Sequence, residues 1–234
     1  MTRRIVLDTE TTGLDPAQGH RVIEIGCVEL VGRRLTQRRF HTYINPERDI
    51  DGGAMQVHGI TNERVANEPV FAAIADEFVE FIRGAELVIH NAAFDVGFLD
   101  AEFGLLKREK IGEICSAVTD TLKMAREARP GKRNSLDALC RDYGVDNSGR
   151  QLHGALLDAE LLAEVYLAMT RGQESLMMEL DAPASAAAPI VAGSRAPLRV
   201  LRASEAELAD HERVLAEIAK ESKGKCVWLS DSGA

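Results

Sequence analysis

Three apolar segments of this chain carry carboxylates where a folded protein would want hydrocarbon, and this restricts the fold more than any other feature. In V-L-D-T-E-T-T-G (Val6 to Gly13) the run Ile5-Val6-Leu7 leads straight into Asp8 and Glu10. Side chains alternate along a strand, so Asp8 and Glu10 point to one side at its carboxyl end and Thr9 to the other.

The second segment, H-N-A-A-F-D (His90 to Asp95), follows a strand-like stretch beginning at Glu86 and opens a helical pattern. Phe98, Leu99 and Leu106 stand three, four and eleven residues beyond Asp95. Asp95 therefore shares the buried stripe near the helix start. The third segment, L-H-G-A-L-L-D (Leu152 to Asp158), repeats the logic, because Leu161, Leu162 and Val165 follow Asp158 at three, four and seven.

A carboxylate on an apolar face is unfavourable by several kcal/mol unless it is paired, protonated or bound to a cation. None of the three segments contains Lys or Arg, so a divalent metal is the simplest partner. Oxygen ligands favour Mg²⁺ or Mn²⁺ over Zn²⁺. Three or four carboxylates exceed what one Mg²⁺ takes while keeping its waters. They point to two ions roughly 3.5–4 Å apart, an arrangement that clamps the attacking and leaving oxygens in phosphodiester hydrolysis. Any one Asp alone could be a helix cap, and D-T-E-T-T-G alone a Thr-rich turn. Their coincidence in one chain favours a shared site. His153 precedes its helix in a Gly-flanked loop, and imidazole, with an ordinary pKa of about 6.5, suits proton transfer near neutral pH.

The set D-x-E, N-x-x-F-D and H-x-x-x-x-D, in this order, resembles the DEDD exonucleases, in the branch (DEDDh) whose third motif carries His. The segments I-V-L-D-T-E-T-T-G, R-G-A-E-L-V-I-H-N-A-A-F-D, P-G-K-R-N-S-L-D-A-L-C and L-H-G-A-L-L-D-A-E-L-L-A-E-V-Y-L-A-M-T extend the similarity across about residues 3–172. They are most similar to the members of that family that proofread for bacterial replicative polymerases. The resemblance implies a ribonuclease H-like fold. It implies that Asp8, Glu10 and Asp158 bind two metal ions, Mg²⁺ or Mn²⁺, that Asp95 holds one directly or through water, and that His153 is the general base. The product is then a nucleoside 5′-monophosphate released from a DNA 3′ end.

Further residues have candidate substrate roles. Thr9, Thr11 and Thr12 offer hydroxyls and N–H groups beside Gly13, which permits close approach of a terminal nucleotide; alternatively they satisfy a turn. His58 matches a position that contacts substrate in the family. Family members usually read D-P-E-A just before it, where this chain has Asp51, Gly52, Gly53 and Ala54, so a glutamate that touches the terminal sugar is replaced by Gly53. His90 and Asn91 lie at a strand end facing the site. Phe94 either stacks against the terminal base or packs in the core.

The strand and helix patterns predict an α/β fold, a mixed sheet flanked by helices with the site at strand carboxyl ends. Strands are expected at Arg4–Leu7, Val22–Val31, Leu35–Ile44, Glu86–Ile89 and near Ala117–Asp120. Helices are expected near Phe71–Ile82, Asp95–Lys107, Thr121–Arg126, Ser135–Tyr143 and Ala155–Thr170, with Asn134 as an N-cap and Gly144 as a stop. Among 234 residues, 45% apolar, one core plus an appendage fits: an exonuclease domain over 1–172, a flexible linker over 173–197 and a C-terminal segment over 198–234.

The linker is Ala-Pro-Ser-rich from Asp181 to Ala196. At its start Gln173, Leu176 and Met178 resemble a peptide that binds the replicative sliding clamp. Beyond it, Leu198–Leu201 suits a strand, Ser204 and Glu207 read as a capping box, and Val227, Trp228 and Leu229 form an apolar run with the sole Trp. The tail is too short for a large core of its own, so these three are expected to dock on a partner or to pack back onto the nuclease domain. The resemblance names the partner as the polymerase catalytic subunit, with a small third core subunit also a candidate.

A net charge of −9 is awkward for a protein that grips nucleic acid. Basic groups at Arg33-Arg34, Arg38-Arg39, Lys107-Arg108-Lys110 and Arg129 to Arg133 are local exceptions, and bound metal would supply positive charge. The expectation is weak DNA binding by this chain alone. The four cysteines are scattered without zinc spacing, and neither a signal segment nor a membrane span is evident, which predicts a cytoplasmic, reduced protein. Two rivals remain: a freestanding DEDDh exoribonuclease, since the catalytic residues do not distinguish the sugars, and a noncatalytic scaffold linking polymerase and clamp.

Overall fold

The structure, a computed structural model, describes residues 2–150, 152–171, 203–222 and 228. The chain divides into two units, 1–181 and 182–234. The first is built on β1 (Arg3–Thr11), β2 (Val22–Val31), β3 (Arg34–Tyr43), β4 (Glu86–Ile89) and β5 (Ala117–Asp120), in the sheet order β3-β2-β1-β4-β5. The first three strands are antiparallel, and β4 and β5 run parallel to β1. Its helices are α1 (Gly52–His58), α2 (Asn62–Val65), α3 (Phe71–Ile82), α4 (Ala92–Leu105), α5 (Ile111–Ile114), α6 (Thr121–Ala128), α7 (Leu136–Tyr143) and α8 (Ala155–Met169). The second unit contains α9 (Glu205–Glu221).

Central strand β1 separates two apolar layers. Ile5 and Leu7 join Phe71 and Phe78 of α3 and Phe98 and Leu99 of α4. Val6 turns the other way, to Val28 of β2, Leu139 of α7 and Leu162 and Val165 of α8. Each such side chain contributes about 1.5–3 kcal/mol on burial, so both helical layers are firmly seated. The alternation also decides where the polar end of β1 points.

Strands β2, β4 and β5 and helix α3 occupy the ranges expected from their patterns. β1 runs on past Leu7 to Thr11 because its ladder with β2 continues through Glu10↔Glu24. Thus Asp8 and Glu10 lie within the strand. Helix α4 begins at Ala92 rather than Asp95, with Asn91 before it in the left-handed region at φ 70°. Asn134 is not the cap of α7: the Ser135 hydroxyl accepts from the Ala138 N–H at 3.4 Å, while the Asn134 amide donates to Lys132 O. Gly144 ends α7 with φ 71°, as its position predicts. The short helices α1, α2 and α5 had no sequence pattern long enough to show a period.

In the second unit the Ser204 and Glu207 capping box opens α9 as expected. The linker 173–197, the strand expected at Leu198–Leu201, and Gln173, Leu176, Met178, Val227 and Leu229 lie outside the described residues. Trp228 is 82% exposed. Cys27, Cys115 and Cys140 are free and buried. Among the described residues no helix is long and apolar enough to cross a membrane.

Candidate metal centre

The carboxyl half of β1 brings the acids together. Asp8 and Glu10 continue the Val6 face, toward α8, and Thr9 continues the Leu7 face, toward α4. On the α4 side, the Thr9 N–H and hydroxyl both donate to Asp95 Oδ1, at 3.1 and 2.8 Å. Asp95 sits in the first turn of α4 and is 3% exposed. A backbone donor and a hydroxyl thus fix the carboxyl group that arrives from the opposite face of the sheet.

On the other side, α8 can approach because β2 clears the way. Gly26, which pairs with Asp8, lies so close to the first turn of α8 that a Cβ there would overlap the backbone of Ala155 and Leu156. Buried Glu24, which pairs with Glu10, accepts from the Ala155 N–H at 3.1 Å and meets His41 Nε2 at 2.7 Å. An acid at a helix N-terminus is well placed for its free N–H groups and dipole. Together, Glu24 and Gly26 seat the helix that carries Asp158 and follows His153.

Asp158, in that first turn, is 2% exposed. Its Oδ2 lies 3.1 Å from His153 Nδ1. Arg150 grips the same carboxylate in a fork, with Nε donating to Oδ1 at 2.5 Å and Nη2 to Oδ2 at 2.6 Å. This corrects the sequence expectation that these acids lack a cationic partner. Arg150 lies just outside the third segment, and the loop folds it back. Its Nη1 also donates to Asp137 Oδ1 and its Nη2 approaches His153 Nδ1, both at 2.6 Å.

The charge balance remains negative. Burial, reinforced by Asp95, Glu10 and Asp158, pushes Asp8 well above the usual carboxylate range. Burial, then Asp158, Glu24 and Asp95, pushes Glu10 up to about 8. Burial raises Asp95 to about 7 despite the bonds from Thr9. Burial acts on Asp158 too, but His153 and Arg150 outweigh it and hold that acid below its ordinary value. One guanidinium does not neutralise four acids, and the remaining deficit is what divalent cations would supply. Glu10, His153 and Asp158 offer ligand atoms all within 4.8 Å of one another. The donor set, mostly carboxylate oxygen, fits Mg²⁺ or Mn²⁺.

The other candidates have partners of their own in the fold. The Thr11 hydroxyl donates to Gly13 O at 2.6 Å, Thr12 Oγ1 meets His20 Nδ1 at 3.0 Å, and a Cβ on Gly13 would overlap the His20 ring. These contacts are those of a turn, and His20 was not anticipated. His58 is buried, with Nδ1 accepting from the Ile60 N–H at 3.0 Å and Nε2 without a hydrogen-bond partner. Burial lowers its pKa. His90 Nδ1 pairs with Thr121 Oγ1 at 2.9 Å, and burial lowers its pKa as well. The Asn91 N–H donates to Asp120 at 3.3 Å. Phe94 is partly buried, 4.9 Å from the Phe98 ring.

Several basic groups considered for DNA are paired within the fold: Arg38 with Glu29, Arg39 with Glu160, Arg108 with Asp76 and Arg129 with Asp142. Arg150, Glu24 and Gly26 escaped sequence reasoning. Glu24 carried a usable signal, since an acid between Ile23 and Ile25 is the same anomaly that exposed Asp8. Arg150 carried none, because its loop has no period.

Comparison with known proteins agrees with this geometry. Residues 5–166 match the sequence model of a family described as Exonuclease (RNase_T). The chain is 52% identical over 239 residues to the DNA polymerase III subunit epsilon of Salmonella typhimurium and to that of Escherichia coli (strain K12), covering 97% of this chain and 98% of each relative. Among solved structures, Exonuclease X in complex with 5′ overhanging duplex DNA is similar in fold, at 24% identity and TM-score 0.57, over 72% of this chain and 91% of that one. So is the nuclease domain of 3′hExo, a DEDDh family member, bound to rAMP, at 20% identity and TM-score 0.63, over 72% and 92%. With acids from both faces of the sheet meeting beside a histidine, and with this similarity over nearly its whole length, the chain belongs to the exonuclease family and, within it, to the group of the DNA polymerase III epsilon subunits.

Proposed function

We propose that this chain is the proofreading 3′→5′ exonuclease subunit of a bacterial DNA polymerase III. It removes mispaired 3′-terminal nucleotides as 5′-monophosphates, in the cytoplasm. The observation that carries this reading is the convergence of Asp8, Glu10 and Asp158 with His153 at the carboxyl end of β1. The family depends on divalent metal.

Asp8, Glu10 and Asp158 are the residues that would hold two ions, Mg²⁺ or Mn²⁺, with Asp95 reaching one directly or through water. Such ions, when bound, act as Lewis acids on the scissile phosphate and stabilise charge on the leaving 3′ oxygen. His153 takes the proton from the attacking water; its side chain is half-exposed and stands on a loop, so the ring reaches both the acids and solvent. Thr9 fixes Asp95. Glu24 and Gly26 fix the helix start between His153 and Asp158. Thr11, Gly13, His58, His90, Asn91 and Phe94 line the approach of the terminal nucleotide.

Exposed Leu208, Val214 and Ile218 on α9, with exposed Trp228, support docking of the tail on the polymerase catalytic (alpha) subunit, with Val227 and Leu229 beside Trp228. Gln173, Leu176 and Met178 are the candidate clamp contact, and a small third core subunit is a further candidate partner. The domains proposed are 1–172, 173–197 and 198–234.

The test is hydrolysis of a primed template with a mispaired 3′ end, with and without the catalytic subunit. Faster release of 5′-mononucleotides from the mispaired end, enhanced by the polymerase, is the expected result. Equal rates with and without polymerase would remove the basis for delivery by a partner.

A further inference from the structure

Among the described residues, Arg150 is the cation that grips this centre, and the catalytic scheme does not use it. Its side chain is only 6% exposed, and its hydrogen bonds reach Asp158, His153 and Asp137. Both oxygens of Asp158 accept from it, at 2.5 and 2.6 Å, the bidentate geometry in which a guanidinium binds carboxylate most strongly. The Nη2 that reaches Oδ2 also stands 2.6 Å from His153 Nδ1. At its far side Nη1 is tethered to Asp137 of α7, at 2.6 Å.

Each oxygen of a carboxylate has two lone pairs, and the fork engages one on each oxygen of Asp158. A divalent ion bound through Asp158 competes with the fork for these oxygens, and a guanidinium within a few ångströms repels it.

We propose that Arg150 is the internal competitor of divalent metal for Asp158, holding that carboxylate against His153 until an ion takes its place. The inference rests on the metal centre described above. It makes Arg150 a positioning residue whose release is part of metal loading. Asp137 is the tether that keeps the guanidinium close for its return.

The experiment is calorimetric titration of Mn²⁺ into the full-length chain and its Arg150→Gln variant, with folding checked by circular dichroism and a melting curve in chelator. The variant should bind Mn²⁺ more tightly, on the order of tenfold, because a repelling charge is gone. It should also melt earlier in chelator and lose that deficit when Mn²⁺ is added. Equal or weaker Mn²⁺ binding by folded Arg150→Gln, with normal binding by the wild type, would overturn the competition while leaving the metal centre intact. No Mn²⁺ binding by the wild type would overturn the metal centre and this inference with it. If Arg150→Gln does not fold, Arg150→Lys serves: a charge retained without the fork should give tighter Mn²⁺ binding than wild type, and unchanged or weaker binding would refute the proposal.

Discussion

Asp95 and Asp158 hold matching places on opposite faces of the sheet. Each lies in the first turn of a helix, α4 or α8, and each is almost wholly buried. Their protons nevertheless behave in opposite ways. Asp95 is met by the N–H and hydroxyl of Thr9, which satisfy hydrogen bonding without cancelling charge, and its pKa rises to about 7. Asp158 is met by a guanidinium and an imidazole, and its pKa falls. The α4 side therefore presents an acid fixed by the strand itself. The α8 side presents an acid held by a loop, whose partners can leave. Equal burial does not mean equal charge, and the difference lies in whether the neighbour is a dipole or a cation.

The largest effect expected from this contrast is on turnover. Asp158→Asn should reduce nucleotide release on the order of a thousandfold or more, and Asp95→Asn by a smaller factor, as measured by steady-state kinetics in Mg²⁺. Comparable losses would erase the distinction between the two sides.

Stability in chelator should separate them as well. Asp158→Asn leaves Arg150 buried without its main counter-ion and should cost about 3 kcal/mol, whereas Asp95→Asn keeps an acceptor for Thr9, removes a buried like charge, and should be neutral or stabilising. Urea denaturation reads both. A stable Asp158→Asn protein would contradict the counter-ion role.

The seat of α8 supplies the next test. Gly26→Ala forces the helix start off β2 and should destabilise by about 1–3 kcal/mol, with a loss of activity beyond what unfolding explains. Its counterpart Gly53→Ala meets nothing within 4 Å and should leave the fold intact. Thermal melts of the two variants decide the matter.

A pH series checks the signs. Glu10 keeps its proton in the folded chain up to about 8, although its ordinary value is 4.5, so its neutral form favours folding. That contribution is full below 4.5 and is lost as pH rises to about 8. Asp158 acts in the opposite sense, but only below its ordinary 3.8, outside this window. Melting temperature in chelator should therefore fall across the upper window, and Glu10→Gln should flatten the slope. A rise would reverse the assignment. The smallest effect is expected at Gly53, in the first turn of α1, where a Cβ meets nothing within 4 Å; Gly53→Glu should raise activity modestly by recovering the family's sugar contact, as read by steady-state kinetics.

Much of this architecture was legible because hydrophobic period and chemical anomaly coincide. The stripes after Asp95 and Asp158 located both helices, and the alternation along β1 placed Asp8 and Glu10 together. The full length of β1 was less legible: the apolar run ends at Leu7, and the ladder to Thr11 is set by pairing with β2, although the alternation carried through Asp8 and Glu10 was already readable. Arg150 was hidden for a related reason: long-range folding of a loop, without local pattern, brings it to Asp158. Thr11, Thr12 and Gly13 looked equally suited to substrate or turn, and their bonds to one another and to His20 became visible only in three dimensions.

The most direct test of the central claim is metal-dependent release of mononucleotides from 3′-labelled single-stranded DNA and matched RNA, comparing wild type with Asp8→Ala/Glu10→Ala. The expected result is Mg²⁺- or Mn²⁺-dependent release of 5′-monophosphates from DNA that vanishes in the double variant. Strong preference for RNA would make the chain an exoribonuclease, and absence of metal-dependent release from either substrate, alone or with polymerase, would contradict a catalytic centre and leave a scaffold.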